Sequence, residues 1–191
     1  MTGIVLAGGA SRRMGIDKAF LKLNGLPLVE LILRSMKNVF KDIIIVTNTP
    51  HLYGSYGTRV VTDAFEQSGP LTGIYSGLSH ARDEFGFVVA CDMPYLNQEL
   101  IAYMAGLASD HDVVVPWLAD SFEPLHAVYR KSLLPLMREQ IGRDRRSVQD
   151  MFGQVVVRRV EAHEVDLFDP AHKSFKNLNT PQEYEEAACA G

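Results

Sequence analysis

The chain has 191 residues, of which 47% are hydrophobic and 22% are charged, and its formal net charge is -4. This composition is typical of a globular soluble protein with a sizeable core, and the weakly acidic balance argues against a nucleic-acid surface. No apolar run approaches the length of a membrane span, and Cys91 and Cys189 are too few for a secreted disulfide scaffold, so we expect a cytoplasmic protein with reduced thiols and no signal peptide.

A glycine-rich loop follows the first predicted strand. Residues 4–6 are apolar and predict a short buried strand, and residues 8–18 hold paired glycines and several cations. Glycines let a backbone turn sharply and bring its N–H groups close to a ligand, and such a turn between a strand and a helix commonly holds phosphate groups. Because Arg12, Arg13 and Lys18 share this loop, the sequence favours phosphate binding. The alternative is an ordinary turn with a solvated basic patch.

Strand and helix signals alternate over the first hundred-odd residues. Apolar runs predict strands, and apolar residues at helical spacing predict helices. The strands are expected at 43–46, 59–62, 85–91 and 113–117, and the helices at 27–39, 70–81 and from Asn97 to about residue 107. This alternation predicts an α/β fold with a doubly wound, mostly parallel sheet.

Polar residues stand at the ends of four predicted strands. The glycine loop follows the first strand, and Asn48, Asp63 and Asp92 follow the next ones. Ligands bind at the carboxyl ends of the strands in such sheets, so we expect these groups to lie along one edge. Taken singly, each residue is more often a turn or cap residue, but their recurrence favours a common site.

The second half of the chain is less regular. It predicts a strand at 123–130, a helix started by Ser132, a basic loop at 142–147, a short helix at 148–152, a strand at 155–160 and a last helix from Thr180. No linker separates the halves. We expect a single domain over 1–191, with a nucleotide-binding half at 1–118 and an acceptor-binding half at 119–191.

The loop from Leu6 to Lys18 contains neither the Walker pattern nor Gly-x-Gly-x-x-Gly, which also argues against a dehydrogenase. It resembles the signature Leu-Ala-Gly-Gly-x-Ser-x-Arg-Met-Gly-x-Asp-Lys of the molybdenum cofactor guanylyltransferase family. Further motifs occur in that family's order: Thr47-Asn48, Val61-Thr62-Asp63, Gly69-Pro70-Leu71-Thr72-Gly73, Cys91-Asp92-Met93-Pro94 and Asn177-Leu178-Asn179-Thr180-Pro181. The resemblance extends over nearly the whole chain.

The resemblance implies a Rossmann-like three-layer sandwich and a nucleotidyl-transfer reaction. GMP would pass from Mg-GTP to the phosphate of molybdenum-carrying molybdopterin, and molybdopterin guanine dinucleotide and pyrophosphate would form. Mg²⁺ is the implied cofactor, and GTP and molybdenum-molybdopterin are the implied substrates. Other cofactor-biosynthesis proteins or molybdoenzymes are candidate partners, whereas no nucleic acid or membrane is expected.

The family motifs also assign candidate site residues. The expected GTP contacts are Leu6, Ala7, Gly8, Gly9, Lys18, Asn48, Asp63 and Asp92. Asp92 matches the magnesium ligand, and together with Arg13 and Lys18 it is expected to stabilise charge on the phosphoryl oxygens. The expected acceptor contacts are Arg12, Gly73, Arg146, Asn177 and Asn179. For the arginines, together with Arg145, a solvated basic face is the alternative.

Three alternatives to GMP transfer to molybdopterin stay open. Two are enzymes, which would transfer CMP to the same acceptor or a nucleotide to a sugar phosphate. The third is a non-catalytic GTP-binding accessory module. Relatives that use CTP have alanine where this chain has Gly8. Since the missing methyl group leaves room for a larger purine, the sequence favours GTP.

The reaction needs no catalytic histidine. The second pKa of a phosphate monoester is about 6, so the acceptor is already a dianion at neutral pH. The six histidines show no metal-ligand spacing, and we expect no transition-metal site. Related sugar nucleotidyltransferases have a second acidic magnesium ligand late in the sheet, where this chain has the neutral Asn177 and Asn179. No role is assigned to residues 123–126.

Overall fold

The computed structural model describes residues 1–8, 18–66, 69–145, 147–178 and Glu183. Strands within these residues are β1 (Thr2–Leu6), β2 (Lys22–Leu23), β3 (Leu26–Pro27), β4 (Ile43–Val46), β5 (Arg59–Val61), β6 (Phe85–Ala90), β7 (Val113–Leu118), β8 (Ser121–Phe122), β9 (His126–Arg130) and β10 (Val157–Glu161). The α-helices are α1 (Leu28–Lys37), α2 (Pro70–His80), α3 (Gln98–Gly106), α4 (Leu134–Gly142) and α5 (Ala162–Val165). Single 3₁₀ turns and one longer 3₁₀ helix, Val148–Gln154, join them.

Eight of the described strands form one mostly parallel sheet, in the order β10-β7-β9-β6-β1-β4-β5, with β8 paired to β7. Strand β1 is parallel to both β4 and β6, β4 is parallel to β5, and β7 is parallel to β10. Strand β9 lies between β6 and β7 and is antiparallel to both. The predicted α/β class with a mostly parallel sheet is confirmed.

Helices cover both faces of this sheet. Successive side chains of a strand point to opposite faces, so Ile4 and Leu6 of β1 pack with α2 and α4, whereas Val5 packs with α1 and α3. All five residues of β1 are buried, which explains the unbroken apolar run that predicted it. The result is the expected three-layer sandwich.

Most elements of the first half lie close to their predicted positions. The Asn97 side chain caps α3, as predicted, by accepting a hydrogen bond of 2.9 Å from the Leu100 N–H. Helical spacing places Leu31 and Ser35 on the predicted apolar face of α1. This face is partly wrong, because both residues are only partly covered, whereas Val29 and Leu33 are buried. Tertiary packing on the sheet selects the face in this case. The helix also begins at Leu28 and not at Pro27.

Several element boundaries around and after residue 118 differ from the prediction. Strand β7 runs through Pro116 to Leu118, one residue beyond its predicted end, and the Pro116 carbonyl accepts a hydrogen bond of 3.0 Å from the Glu123 N–H. Strand β9 begins only at His126, because its N–H donates to the Glu123 carbonyl at 3.1 Å and closes a turn. Ser132 does not cap α4, because it lies inside a 3₁₀ turn that runs directly into that helix.

The last predicted helix, from Thr180, lies outside the described residues apart from Glu183. Among the described residues, no helix is long and apolar enough to cross a membrane.

Candidate functional site

A cavity of about 500 Å³ opens at one edge of the sheet. Strands β1, β4, β5 and β6 are mutually parallel, so their carboxyl ends meet at this edge. Leu6, Val46 and Ala90 are the last residues of three of these strands, and they line the cavity. The site therefore lies where open parallel sheets bind their ligands.

Many of the predicted site residues meet at this cavity. Those that line it are Leu6, Gly8, Lys18, Asp63, Gly73, Asp92 and Asn177. Gly9, Arg12, Arg13, Arg146 and Asn179 lie outside the described residues. Ala7 and Asn48 are described but do not line the cavity. Ala7 is fully buried, and its N–H donates to the Val46 carbonyl at 2.9 Å.

Asn48 and Asp63 form a pair at the ends of the neighbouring strands β4 and β5. The Asn48 Nδ2 donates to Asp63 Oδ2 at 2.8 Å, and the Asp63 N–H donates to Asn48 Oδ1 at 3.3 Å. The other carboxylate oxygen, Asp63 Oδ1, is buried and accepts no hydrogen bond from a described residue. Burial raises the pKa of the Asp63 carboxyl above its ordinary value, and the hydrogen bond from Asn48 opposes this rise. Asn48 thus orients the Asp63 carboxylate at the lining of the cavity.

Asp92 and Lys18 bring opposite charges to the lining of the cavity. Asp92 is the second residue after β6, and Lys18 begins a 3₁₀ turn after the glycine loop. Burial raises the pKa of the Asp92 carboxyl above its usual range, and the positive charge of Lys18 opposes this rise. The Leu178 N–H donates to the Asp92 carbonyl at 2.9 Å, which holds Asn177 at the rim of the same cavity.

Gly73 lies in the first turns of α2 and is buried against β1. A Cβ at this position would stand 3.2 Å from Leu6 Cδ2, which is closer than most side-chain contacts. The absence of a side chain at Gly73 therefore lets α2 pack against the strand that leads into the glycine loop.

Sequence reasoning missed the segment Glu123–Leu125, which also lines the cavity. Strand β9 is antiparallel to β6, so its beginning lies at the edge where the parallel strands end. The Leu125 carbonyl accepts a hydrogen bond of 3.2 Å from the Ala90 N–H, at the last residue of β6. The Glu-Pro pair that precedes β9 could have indicated this turn in the sequence, because Pro is typical of the position where a strand starts.

The donor set limits how a metal ion could be held. The described residues contain no group of three or more His, Cys, Asp or Glu side chains that could hold a metal ion. Asp92, at the lining of the cavity, offers one carboxylate. Mg²⁺ usually binds through one or two carboxylates and completes its shell with water and substrate phosphates. The residues present therefore fit a magnesium-nucleotide complex and do not fit a resident metal held by the protein alone.

Comparison with known proteins identifies the family of the chain. Residues 3–161 match the family model described as MobA-like NTP transferase domain. The molybdenum cofactor guanylyltransferase of Desulfosudis oleivorans is 38% identical over 192 residues, covering 100% of this chain and 95% of the relative. A probable molybdenum cofactor guanylyltransferase of Peptoclostridium acidaminophilum is 35% identical and covers 97% of this chain and 87% of its own length.

A solved structure shares the fold over the full length. The crystal structure of molybdopterin-guanine dinucleotide biosynthesis protein A from Archaeoglobus fulgidus superposes with a TM-score of 0.87 at 26% identity, covering 100% of this chain and 98% of that one. The chain therefore belongs to the MobA-like NTP transferase family, among relatives named as molybdenum cofactor guanylyltransferases, and is a nucleotidyltransferase.

Proposed function

We propose that this nucleotidyltransferase transfers GMP from Mg-GTP to the phosphate of molybdenum-molybdopterin, with release of pyrophosphate. The observation that carries the proposal is the meeting of Lys18, Asp63 and Asp92 in one cavity at the carboxyl edge of the sheet. The names of the full-length relatives support guanylyl transfer and the molybdenum cofactor as acceptor.

In the proposed reaction an acceptor phosphate oxygen attacks the α-phosphorus of GTP. A new P–O bond forms, and the bond from the α-phosphorus to the bridging oxygen of the β-phosphate breaks. Pyrophosphate leaves with that electron pair, so no proton has to be moved by the protein. The protein's contribution is to bring the anions together and to stabilise charge on the phosphoryl oxygens.

Each described side chain takes a part in this scheme. Lys18 places a positive charge beside the triphosphate, and Asp63, oriented by Asn48, accepts a hydrogen bond from the base or ribose. Asp92 holds Mg²⁺, which when bound supplies Lewis-acid stabilisation of the phosphate charge. Asn177 stands at the acceptor side of the rim. The proposal also assigns GTP to Gly9 and Arg13. It assigns the acceptor to Arg12, Arg146 and Asn179.

The test is a transfer assay with purified protein, Mg²⁺, molybdenum-molybdopterin and each labelled nucleoside triphosphate in turn. We expect incorporation of the label and pyrophosphate release from GTP only. Asp92→Asn should lower the rate by about 100-fold or more, because several kcal/mol of charge stabilisation is lost. Asp110→Asn, an exposed change of the same kind outside the cavity, should behave as wild type.

Each other outcome has a definite meaning. Incorporation from CTP would preserve the chemistry and overturn the choice of base. Transfer to a sugar phosphate alone would overturn the acceptor. Tight GTP binding without transfer to any acceptor would contradict the proposed reaction and favour an accessory role.

A further inference from the structure

Glu123 is a cavity carboxylate to which the proposed reaction gives no part. It is half-buried and lines the cavity together with Pro124 and Leu125, between the β7–β8 hairpin and the start of β9. Two backbone hydrogen bonds fix its position, from the Glu123 N–H to the Pro116 carbonyl at 3.0 Å and from the His126 N–H to the Glu123 carbonyl at 3.1 Å. The Glu123 side chain therefore extends from a turn whose backbone is held by hydrogen bonds.

Within the described residues, no hydrogen bond or ion pair reaches the Glu123 carboxylate. The other two carboxylates of the cavity do have protein neighbours, since Asp63 is bonded to Asn48 and the charge of Lys18 acts on Asp92. Burial alone raises the pKa of the Glu123 carboxyl above its ordinary value. Neither Glu123 carboxylate oxygen is among the buried, unpaired polar atoms of the described residues, so both oxygens remain accessible to a ligand in the cavity that presents hydrogen-bond donors.

The position of Glu123 indicates which substrate supplies those donors. The sheet order places β9 on the opposite side of β6 and β1 from β5. Asp63 follows β5 and Glu123 precedes β9, so in the order of the strands these two cavity-lining acidic groups flank Asp92, which follows β6. If Asp63 contacts the nucleotide, Glu123 faces the other reactant, which is the acceptor.

We propose that Glu123 recognises the acceptor through the 2-amino and N3–H donors of its pterin ring, with Pro124 and Leu125 as the apolar surface beside the ring. These two donors are parallel and match the two oxygens of a carboxylate, the same geometry that makes paired N–H···O bonds strong and specific. The inference rests on the proposed function, because it takes molybdopterin as the acceptor. Glu123 acts in specificity and not in the bond-forming step.

Guanine carries the same pair of donors, so the experiment must separate the two rings. The binding of free pterin (2-amino-4-oxopteridine) and of lumazine (2,4-dioxopteridine) is measured by fluorescence titration of the full chain at neutral pH. Lumazine has an acceptor oxygen in place of the 2-amino group. We expect the wild-type protein to bind pterin about 10-fold or more tightly than lumazine, since a site built for a donor rejects a ligand that lacks it.

Glu123→Gln keeps the size of the side chain and replaces one acceptor oxygen by a donor amide. We expect it to weaken pterin binding by about 10-fold and to abolish or reverse the preference over lumazine, because the amide can donate to the 2-oxo group. In the transfer assay the variant should raise KM for molybdopterin while KM for GTP and kcat stay near wild type. Asp120→Asn removes the same charge from the exposed turn of the same hairpin and should change none of these values.

Three results would overturn the proposal. A rise of KM for GTP alone would assign Glu123 to guanine. An unchanged pterin-to-lumazine ratio in Glu123→Gln would remove its role in recognition, and so would failure of the wild-type protein to bind pterin at all. The ring titrations do not depend on turnover, so they distinguish failure of this inference from failure of the proposed transfer reaction.

Discussion

At the scale of single residues, Gly8 is the position on which the proposed preference for GTP over CTP depends. A Cβ built on Gly8 would stand 3.8 Å from Thr47 Cα and 4.0 Å from the Asn48 amide nitrogen, which are ordinary contacts. Gly8 is not among the described glycines with a positive φ. Among the described residues, neither packing nor backbone conformation therefore requires glycine at this position. Gly8 is exposed and lines the cavity, so an added methyl group would take up space there.

We predict that Gly8→Ala folds normally and lowers the ratio of kcat/KM for GTP to that for CTP. One methyl group in a tight pocket changes kcat/KM by about 10-fold or more. We expect kcat/KM for GTP to fall more than that for CTP, because the purine is larger than the pyrimidine. Thermal unfolding checks the fold, and parallel transfer assays check the ratio. Gly54→Ala, at a glycine with nothing within 4 Å of the added Cβ, is the matched control. An equal loss with both nucleotides would contradict the steric argument.

His126 is a second residue with a measurable signature. It is fully buried in β9, next to the rings of Phe87 and Phe175, and neither ring nitrogen has a hydrogen-bond partner among the described residues. Burial lowers the pKa of His126 from 6.5 to about 4, and the charge of Asp169 only partly opposes this shift. The folded protein therefore holds this histidine neutral.

We predict that this neutral histidine costs stability in acid. Between pH 6.5 and about 4 the unfolded chain binds a proton at His126 that the folded chain does not, so the free energy of unfolding falls as the pH falls. The loss should amount to roughly 3 kcal/mol once the pH is below the folded-state pKa. His126→Leu should remove this part of the pH dependence in urea titrations, whereas the exposed His51→Leu should retain it. Parallel curves for His126→Leu and wild type would contradict the prediction.

The site residues show what a single sequence can predict at this scale. Asp63 and Asp92 were found because a polar residue at the end of an apolar strand marks the ligand edge of a parallel sheet. Glu123 was missed because its neighbours alternate like a strand, and only the backbone hydrogen bonds to Pro116 and His126 reveal the turn. The contact of Asn48 with the nucleotide stays a prediction, and its hydrogen bond to Asp63 could not be read from the sequence.

At the scale of elements, the packing of α2 on the sheet depends on glycine. A Cβ on Gly77 would overlap Ile4 Cγ2 and would stand 3.1 Å from Val46 Cγ2. The helix thus lies directly on β1 and β4, the strands that end in the cavity. Helices and strands with strong apolar periodicity could be predicted, but this close approach depends on neighbours that are distant in sequence.

We predict opposite effects for two glycine-to-alanine changes in helices. Gly77→Ala should destabilise the protein by about 1–3 kcal/mol, because the core around it is fully packed. Gly106→Ala, at the end of α3 with nothing within 4 Å of the added Cβ, should be neutral or stabilising by up to about 1 kcal/mol. Urea unfolding measures both. A stable Gly77→Ala variant would mean that α2 can move away from β1 without cost.

At the scale of the whole molecule, the two halves of the chain share one sheet. Strand β9 belongs to the second half and lies between β6 and β7, which both belong to the first half. Helices α4 and α2, one from each half, pack together on one face of the sheet. The order of strands could not be predicted from local patterns, because an antiparallel insertion leaves the apolar runs unchanged. The expected division at residue 118 stays a proposal about substrates.

We predict that a fragment of residues 1–118 does not fold alone. It would lack β9, so β6 and β7 would have no strand between them, and the face of α2 that packs on α4 would be exposed. Circular dichroism during urea titration should show no cooperative transition, and gel filtration should show aggregation. A chain ending at residue 178 keeps every described strand and should unfold cooperatively. A soluble, cooperatively folded 1–118 fragment would contradict the prediction.

The inserted strand also sets a delay during synthesis. The end of β6 at Ala90 leaves the ribosome 40 residues before the end of β9 at Arg130. At translation rates of about 5–20 residues per second, that interval is about 2–8 s. During this time the nascent chain carries an unpaired, apolar β6 edge, the kind of surface that joins other chains. Speed of translation through residues 91–130, or shielding of this edge by a chaperone, would then govern the yield of active protein.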